Sequence, residues 1–145
     1  MTNPEVVRPE LENEPTTYFD ILALAVAKSS HTRFKSGNAE WTRAIADAQE
    51  ATQDTSPEFL RDVAIDRINE PYIGPFSHEV SEFLRIMRMS GAFSSLTTVN
   101  ESTYIMSQDT KAEFLEEITE QLQVLEEPIA KLTEIIDIRL GLDPI

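Results

Sequence analysis

The feature that most restricts the fold of this chain is a heptad of apolar residues in its last third. The apolar positions alternate in steps of three and four: Leu115, Ile118, Leu122, Leu125, Ile129, Leu132 and Ile136. A helix that packs only on its own domain usually shows a wider stripe, closer to a period of about 3.6 residues. The narrow seam is typical of a helix that pairs with another helix. We therefore expect a long helix over residues 109–140 that forms a homodimer.

Pro128 lies beside this seam and leaves the pairing geometry open. Proline removes one backbone donor, so it should kink or split the helix. One alternative is a kinked helix that pairs with its copy, in parallel or antiparallel orientation. The other is two helices, over 109–126 and 128–140, that fold back as a hairpin. Phe114, Ile135 and Ile138 broaden the stripe, so docking onto the chain's own core also stays open.

The second constraint is a formal net charge of −14, from 26 acids and 12 bases. Residues 108–145 carry ten of these acids and three of the bases, which is half of the net charge. An acidic chain repels nucleic-acid phosphates and anionic lipid at long range. The acidity fits either solubility or a salt-rich host, or else a surface that attracts a basic partner.

Several classes of protein are disfavoured by composition. No run approaches the roughly 18 apolar residues of a membrane span, and we expect no membrane partner. The chain contains no cysteine, so disulfides and thiolate chemistry are excluded. It shows no basic start with a cleavage site, which favours a cytoplasmic location.

The rest of the chain divides into a tail, four helices and a hairpin. Residues 1–15 hold three prolines and four glutamates and predict a disordered acidic tail. Helices are predicted over 18–29, 38–51, 57–68 and 77–89. The third would begin at the Ser56-Pro57 start signal. The fourth would be capped by Ser77 and ended by Gly91.

Two runs rich in β-branched residues, 95–99 and 103–107, predict a β-hairpin. Helices followed by a hairpin form the skeleton of a winged-helix domain. The predicted fold class is therefore mainly α with a small β-hairpin: a winged-helix-like domain over 16–108, followed by a C-terminal dimerisation helix over 109–145.

Candidate chemistry is sparse. His78 and Glu82 have a spacing that metals can use, but a site needs at least three ligands and the only other histidine, His31, lies in a distant loop. The four glycines are scattered, so no phosphate loop is present, and no serine lies in a nucleophile elbow. We therefore expect no metal, no cofactor and no enzymatic activity.

A nucleic-acid surface is the main binding hypothesis. In a winged-helix fold, the helix after Ser77 would read the major groove, with Arg85 and Arg88 near its end. A second basic cluster, Lys28, Arg33 and Lys35, surrounds the first interhelical loop. Against this hypothesis, two glutamates lie in the first turn of the reader helix.

Two family resemblances support this interpretation. The segment Pro71-Tyr72-Ile73-Gly74-Pro75-Phe76-Ser77, followed by Val80 to Leu84 and Gly91, resembles SocA-like (Panacea) antitoxin domains. The run from Val80 through Thr103-Tyr104-Ile105 to Leu115 resembles the wing and dimer helix of PadR- or MarR-type regulators. The second resemblance implies a DNA-binding dimer, and the first implies an antitoxin.

The sequence thus predicts a regulatory protein that acts by binding as a homodimer, in the manner of a transcription factor. The alternative is an acidic antitoxin, inhibitor or nucleic-acid mimic that occupies a basic partner protein. An assembly subunit that uses its long helix as the main contact is a third hypothesis.

Overall fold

The structure of the protein is a computed structural model that describes residues 17–97 and 102–142. The tail predicted over residues 1–15 lies outside these residues. The elements follow in the order α1 (Tyr18–Ala27), β1 (Arg33–Lys35), α2 (Asn38–Ala51), α3 (Glu70–Ile73), α4 (His78–Met89), β2 (Ser94–Thr97), β3 (Ser102–Ile105), α5 (Gln108–Glu116), α6 (Glu120–Val124) and α7 (Glu126–Arg139).

The core is built around α1. Thr17 begins this helix by accepting a hydrogen bond from the backbone of Asp20. Every residue from Ile21 to Ala27 is buried, as expected of a helix that is apolar on all sides. The helix packs against α5 and α7, and α7 also packs along α2. The helix predicted over 18–29 is confirmed, although it ends at Ala27 instead of Ser29.

A small antiparallel sheet lies beside the helices, with strand order β1-β3-β2. The predicted hairpin is β2 and β3, and its tip at residues 98–101 lies outside the described residues. The sequence did not predict β1, which pairs with β3. On its other side β1 bonds to residues 140–142 through Lys35 N to Leu140 O and Leu142 N to Arg33 O, both at 2.9 Å. The predicted fold class, mainly helical with a small antiparallel element, is confirmed and is consistent with a winged-helix-like fold.

One polar residue fixes α4 against α2. The side-chain amide of Asn38, the first residue of α2, donates to the carbonyl of Ser77 at 2.9 Å. Its oxygen accepts the backbone N–H of Ser77 at 3.2 Å. Ser77 in turn caps α4 by accepting from Val80 N. The start of α4 is therefore held on the start of α2, and the predicted limits of both helices are confirmed.

The helix predicted over 57–68 is wrong. The chain there forms successive turns, and Leu60 has a φ of +58° that an α-helix does not allow. The side-chain amide of Gln49 donates to the carbonyls of Leu60 and Val63, at 2.9 and 3.1 Å. Phe59, Leu60 and Val63 are all buried. Tertiary packing and these bonds to α2 therefore override the local start signal.

The long C-terminal helix is split, but not at Pro128. The first break follows α5, where the hydroxyl of Thr119 accepts from Leu122 N and starts α6. The second break is at Leu125, between α6 and α7. Pro128 lies in the first turn of α7, where a missing N–H leaves no intrahelical bond unmade.

The homodimer seam needs a correction as well. Four of its seven side chains are buried within the molecule's own core: Leu122, Ile129, Leu132 and Ile136. Ile118 and Leu125 pack partly against that core, and Leu115 is 38% exposed. Because α1 and α2 pack on α7, these four buried side chains are not exposed to a second copy. Contacts of α1 with α5 and α7 cross residue 108, and homodimerisation of the chain stays a prediction.

Candidate interaction surface

The outer face of α4, the predicted reader helix, carries arginines that are already engaged. Arg85 forms an ion pair with Glu82, one turn away on the same face. Arg88 donates to the carbonyl of Leu84 at 3.4 Å, and its guanidinium lies 5.9 Å from the centre of the Tyr104 ring. A phosphate at Arg85 would compete with the carboxylate of Glu82.

The start of α4 is electronegative. Burial raises the pKa of the Tyr18 hydroxyl, and the nearby carboxylates of Glu79 and then Glu82 raise it further. By contrast, the hydrogen bond that Arg85 donates to Glu82 lowers the pKa of Glu82, so the carboxylate of Glu82 stays charged. A duplex would approach such a helix through its first turn. This end of α4 therefore opposes phosphate more than it attracts it.

The second basic cluster does not join the first. Arg33 and Lys35 flank the buried Phe34 in β1, so strand alternation places them on the opposite face of the sheet. Phe34 pairs directly with Tyr104, the residue beneath Arg88. Arg33 and Lys35 therefore lie on the face of the sheet opposite Arg88.

Two bases of this cluster line surface depressions that also contain carboxylates. Lys35 lines a surface depression that also holds Glu40 and Asp47. Lys28 lines another, together with Glu126 of α7. The Nε atom of Arg33 is buried and has no hydrogen-bond partner among the described residues. The five predicted bases thus do not form one continuous positive surface.

A buried lysine was not singled out from the sequence. Lys111 in α5 points its ammonium group at two carbonyls at the end of α1 and just beyond it, with 2.6 Å to Ser29 O and 3.3 Å to Val26 O. Burial lowers the pKa of Lys111, although the carboxylate of Asp137 acts in the opposite direction. Asp137 also accepts hydrogen bonds from the hydroxyls of Ser29 and Ser30. This network connects the end of α1 with α5 and α7 and stabilises the packing of these helices.

A loop between α2 and α4 is the most unusual part of the surface. Asp66 and Phe76 close it with two backbone hydrogen bonds, Asp66 N to Phe76 O at 2.7 Å and Phe76 N to Asp66 O at 2.8 Å. We call residues 66–76 the closed loop. Its one-turn helix α3 ends at Gly74, whose φ is +90°. A Cβ atom at Gly74 would lie 2.8 Å from the Cβ of Ala39, so the loop sits directly on α2.

Large apolar side chains are exposed on this loop. Tyr72 is 88% exposed, Ile68 82% and Ile73 70%. Phe76, at the base, is 36% exposed, and its ring meets the ring of His78 edge to face at 4.9 Å. Concentrations of exposed apolar groups commonly mark interaction sites on a protein surface. The closed loop is therefore the candidate site, and none of its residues is among the site residues predicted from the sequence.

The candidate metal pair gains no third ligand. Over residues 17–97 and 102–142, no group of three or more histidine, aspartate and glutamate side chains could hold a metal ion. His78 packs against Phe76 instead of facing Glu82, whose carboxylate pairs with Arg85. In the same part of the chain, no helix is long and apolar enough to cross a membrane.

Comparisons of the chain with protein-family models, with curated proteins and with solved structures found no match.

Proposed function

We propose that this protein is a non-enzymatic regulatory protein that acts by binding another protein through the closed loop. The observation that carries the proposal is the exposure of Ile68, Tyr72 and Ile73 on a segment that is fixed at its base. Aromatic side chains that enter a partner's pocket commonly supply much of the energy of a protein interface.

The anchoring of the loop supports this function. The backbone bonds between Asp66 and Phe76 fix its two ends, and Gly74 rests on α2. Glu79 of α4 also accepts the backbone N–H of Ala64 at 2.8 Å, just before the loop. A surface ordered before binding loses less conformational entropy when a partner docks.

The partner in this proposal is a different protein. Two copies of the chain would each bring a net charge of −14 to the contact, and like charges oppose their approach. This places the protein nearer to an acidic antitoxin or inhibitor than to a dimeric transcription factor.

The experiment is affinity capture from nuclease-treated native lysate, with quantitative mass spectrometry. Wild type is compared with Tyr72→Ser/Ile73→Ser and with Val124→Ser/Ile138→Ser, which changes two side chains exposed elsewhere at 82% and 77%. We expect a partner that wild type and the control retain and the loop variant loses. Equal capture by all three proteins would overturn the proposal.

Duplex DNA binding is the second candidate, favoured by the winged-helix-like order of helices and strands. In this function a phosphate would compete with Glu82 for Arg85. Binding should then fall steeply with salt, and Arg85→Gln/Arg88→Gln should weaken it further. Fluorescence anisotropy with a labelled duplex, recorded over a salt series, tests this function independently of the closed loop.

A further inference from the structure

The charges beside the closed loop are unbalanced. Each arginine between residues 43 and 85 is in an ion pair with a glutamate three residues away: Arg43 with Glu40, Arg61 with Glu58, Arg67 with Glu70, and Arg85 with Glu82. Within each pair the positive charge is already matched by a carboxylate of this protein. The arginines therefore offer little to an acidic ligand.

Two aspartates, one at the start of the loop and one four residues before it, have no such match. Asp62 and Asp66 are exposed, and neither forms an ion pair with any described residue. One oxygen of Asp66 accepts the backbone N–H of Ile68 at 2.9 Å, and this bond leaves its negative charge uncompensated. Net negative charge therefore borders the apolar side chains.

From this arrangement we infer that the closed loop binds a protein segment in which apolar side chains are flanked by lysine or arginine. The inference rests on the proposed function and adds the charge of the partner. Apolar residues of the segment would cover Tyr72 and Ile73, and its cations would approach Asp62 and Asp66. An acidic segment would meet uncompensated carboxylates, and such like-charge contacts oppose binding.

The rest of the molecule acts in the same direction. A net charge of −14 attracts a basic segment at long range and accelerates its association. The same field repels nucleic-acid phosphates. A basic protein segment is therefore the ligand favoured by both the local and the overall charge.

The first test is selection from a random peptide display library, with the full-length wild-type protein as bait and Tyr72→Ser/Ile73→Ser as counter-selection. We expect enriched peptides that combine apolar residues with net positive charge. Loop-dependent peptides that are neutral or acidic would overturn the inference but leave the proposed function standing. If no peptide depends on the loop, both fail.

The second test measures the affinity of one enriched peptide for Asp62→Asn/Asp66→Asn. Asparagine at position 66 keeps an oxygen that can accept from Ile68, so the loop should stay folded. We expect binding to weaken about 3- to 10-fold at low salt, the range for a pair of exposed ionic contacts. The control with the same change in net charge is Glu127→Gln/Glu134→Gln, because both of these acids are exposed on α7. Equal weakening in both variants would overturn the local assignment.

Discussion

The ammonium group of Lys111 lies 2.6 Å from the carbonyl oxygen of Ser29, the second residue after α1 ends. It also reaches Val26 O, which already accepts the backbone N–H of Ser29 at 3.1 Å. Lys111→Ala should lower the free energy of unfolding by about 1–3 kcal/mol, since the buried carbonyl of Ser29 loses this donor. Urea denaturation measures this loss. Lys131→Ala, at an exposed position of α7, should change stability by less than about 0.5 kcal/mol.

Lys111 should also make stability depend on alkaline pH. Burial lowers its pKa below the ordinary 10.5. Between that lowered value and 10.5, the unfolded chain holds a proton that the folded chain has released, so stability rises with pH. The free energy of unfolding of wild type should thus increase relative to Lys111→Met as the pH is raised through this window.

The pH measurement needs Tyr18→Phe as a common background. The pKa of Tyr18 is raised above 10.0, so above that value the folded protein holds a proton that the unfolded chain has released. The contribution of Tyr18 to the free energy of unfolding therefore falls as the pH rises above 10.0. Parallel pH profiles for the two Lys111 forms in this background would contradict the prediction.

The buried seam has a test that separates internal packing from dimerisation. Ile129 is fully buried against the core, whereas Leu115 is 38% exposed. Ile129→Ala should cost about 2–5 kcal/mol of stability, and Leu115→Ala should cost clearly less. Neither change should alter the mass in sedimentation at low concentration, provided that the variant stays folded. Loss of a dimer on changing Ile129 in a folded protein would restore the intermolecular seam.

Gly74 should tolerate no side chain. Its φ of +90° disfavours every L-residue, and an added Cβ would lie 2.8 Å from that of Ala39. Gly74→Ala should therefore destabilise the protein by more than about 1 kcal/mol and loosen the closed loop. Gly37→Ser is the control, because no atom lies within 4 Å of its Cβ position and serine can cap α2. Thermal unfolding compares the two, and an equal change in both would refute the steric argument.

Local signals in the sequence predicted local structure well. Ser77 and Gly91 mark the beginning and the end region of α4 because a hydroxyl cap and a left-handed residue act on their immediate neighbours. The helix prediction for residues 57–68 was wrong for the complementary reason. Its conformation depends on Gln49 and on the core, and neither is visible in the segment itself.

Partners distant in the chain could not be predicted. The heptad spacing of Ile129 and Leu132 is the same whether α1 of the same molecule or a second copy covers it. The three residues of β1 contain a single apolar side chain, Phe34, and acquire meaning only beside β3. Likewise the positions of Arg85 and Arg88 were evident from the sequence. Their contacts with Glu82 and Tyr104 became evident only in the folded structure.

The bonds between β1 and residues 140–142 have a consequence for synthesis. During translation, α1 and β1 emerge from the ribosome long before α7 and Leu142 are synthesised, and these later residues complete the core and the sheet. At about 5–20 residues per second, this delay is on the order of ten seconds. During that time Ile21 to Ala27, buried in the finished molecule, face water without their cover. We therefore expect α1 of the nascent chain to stay accessible to chaperones until α7 emerges.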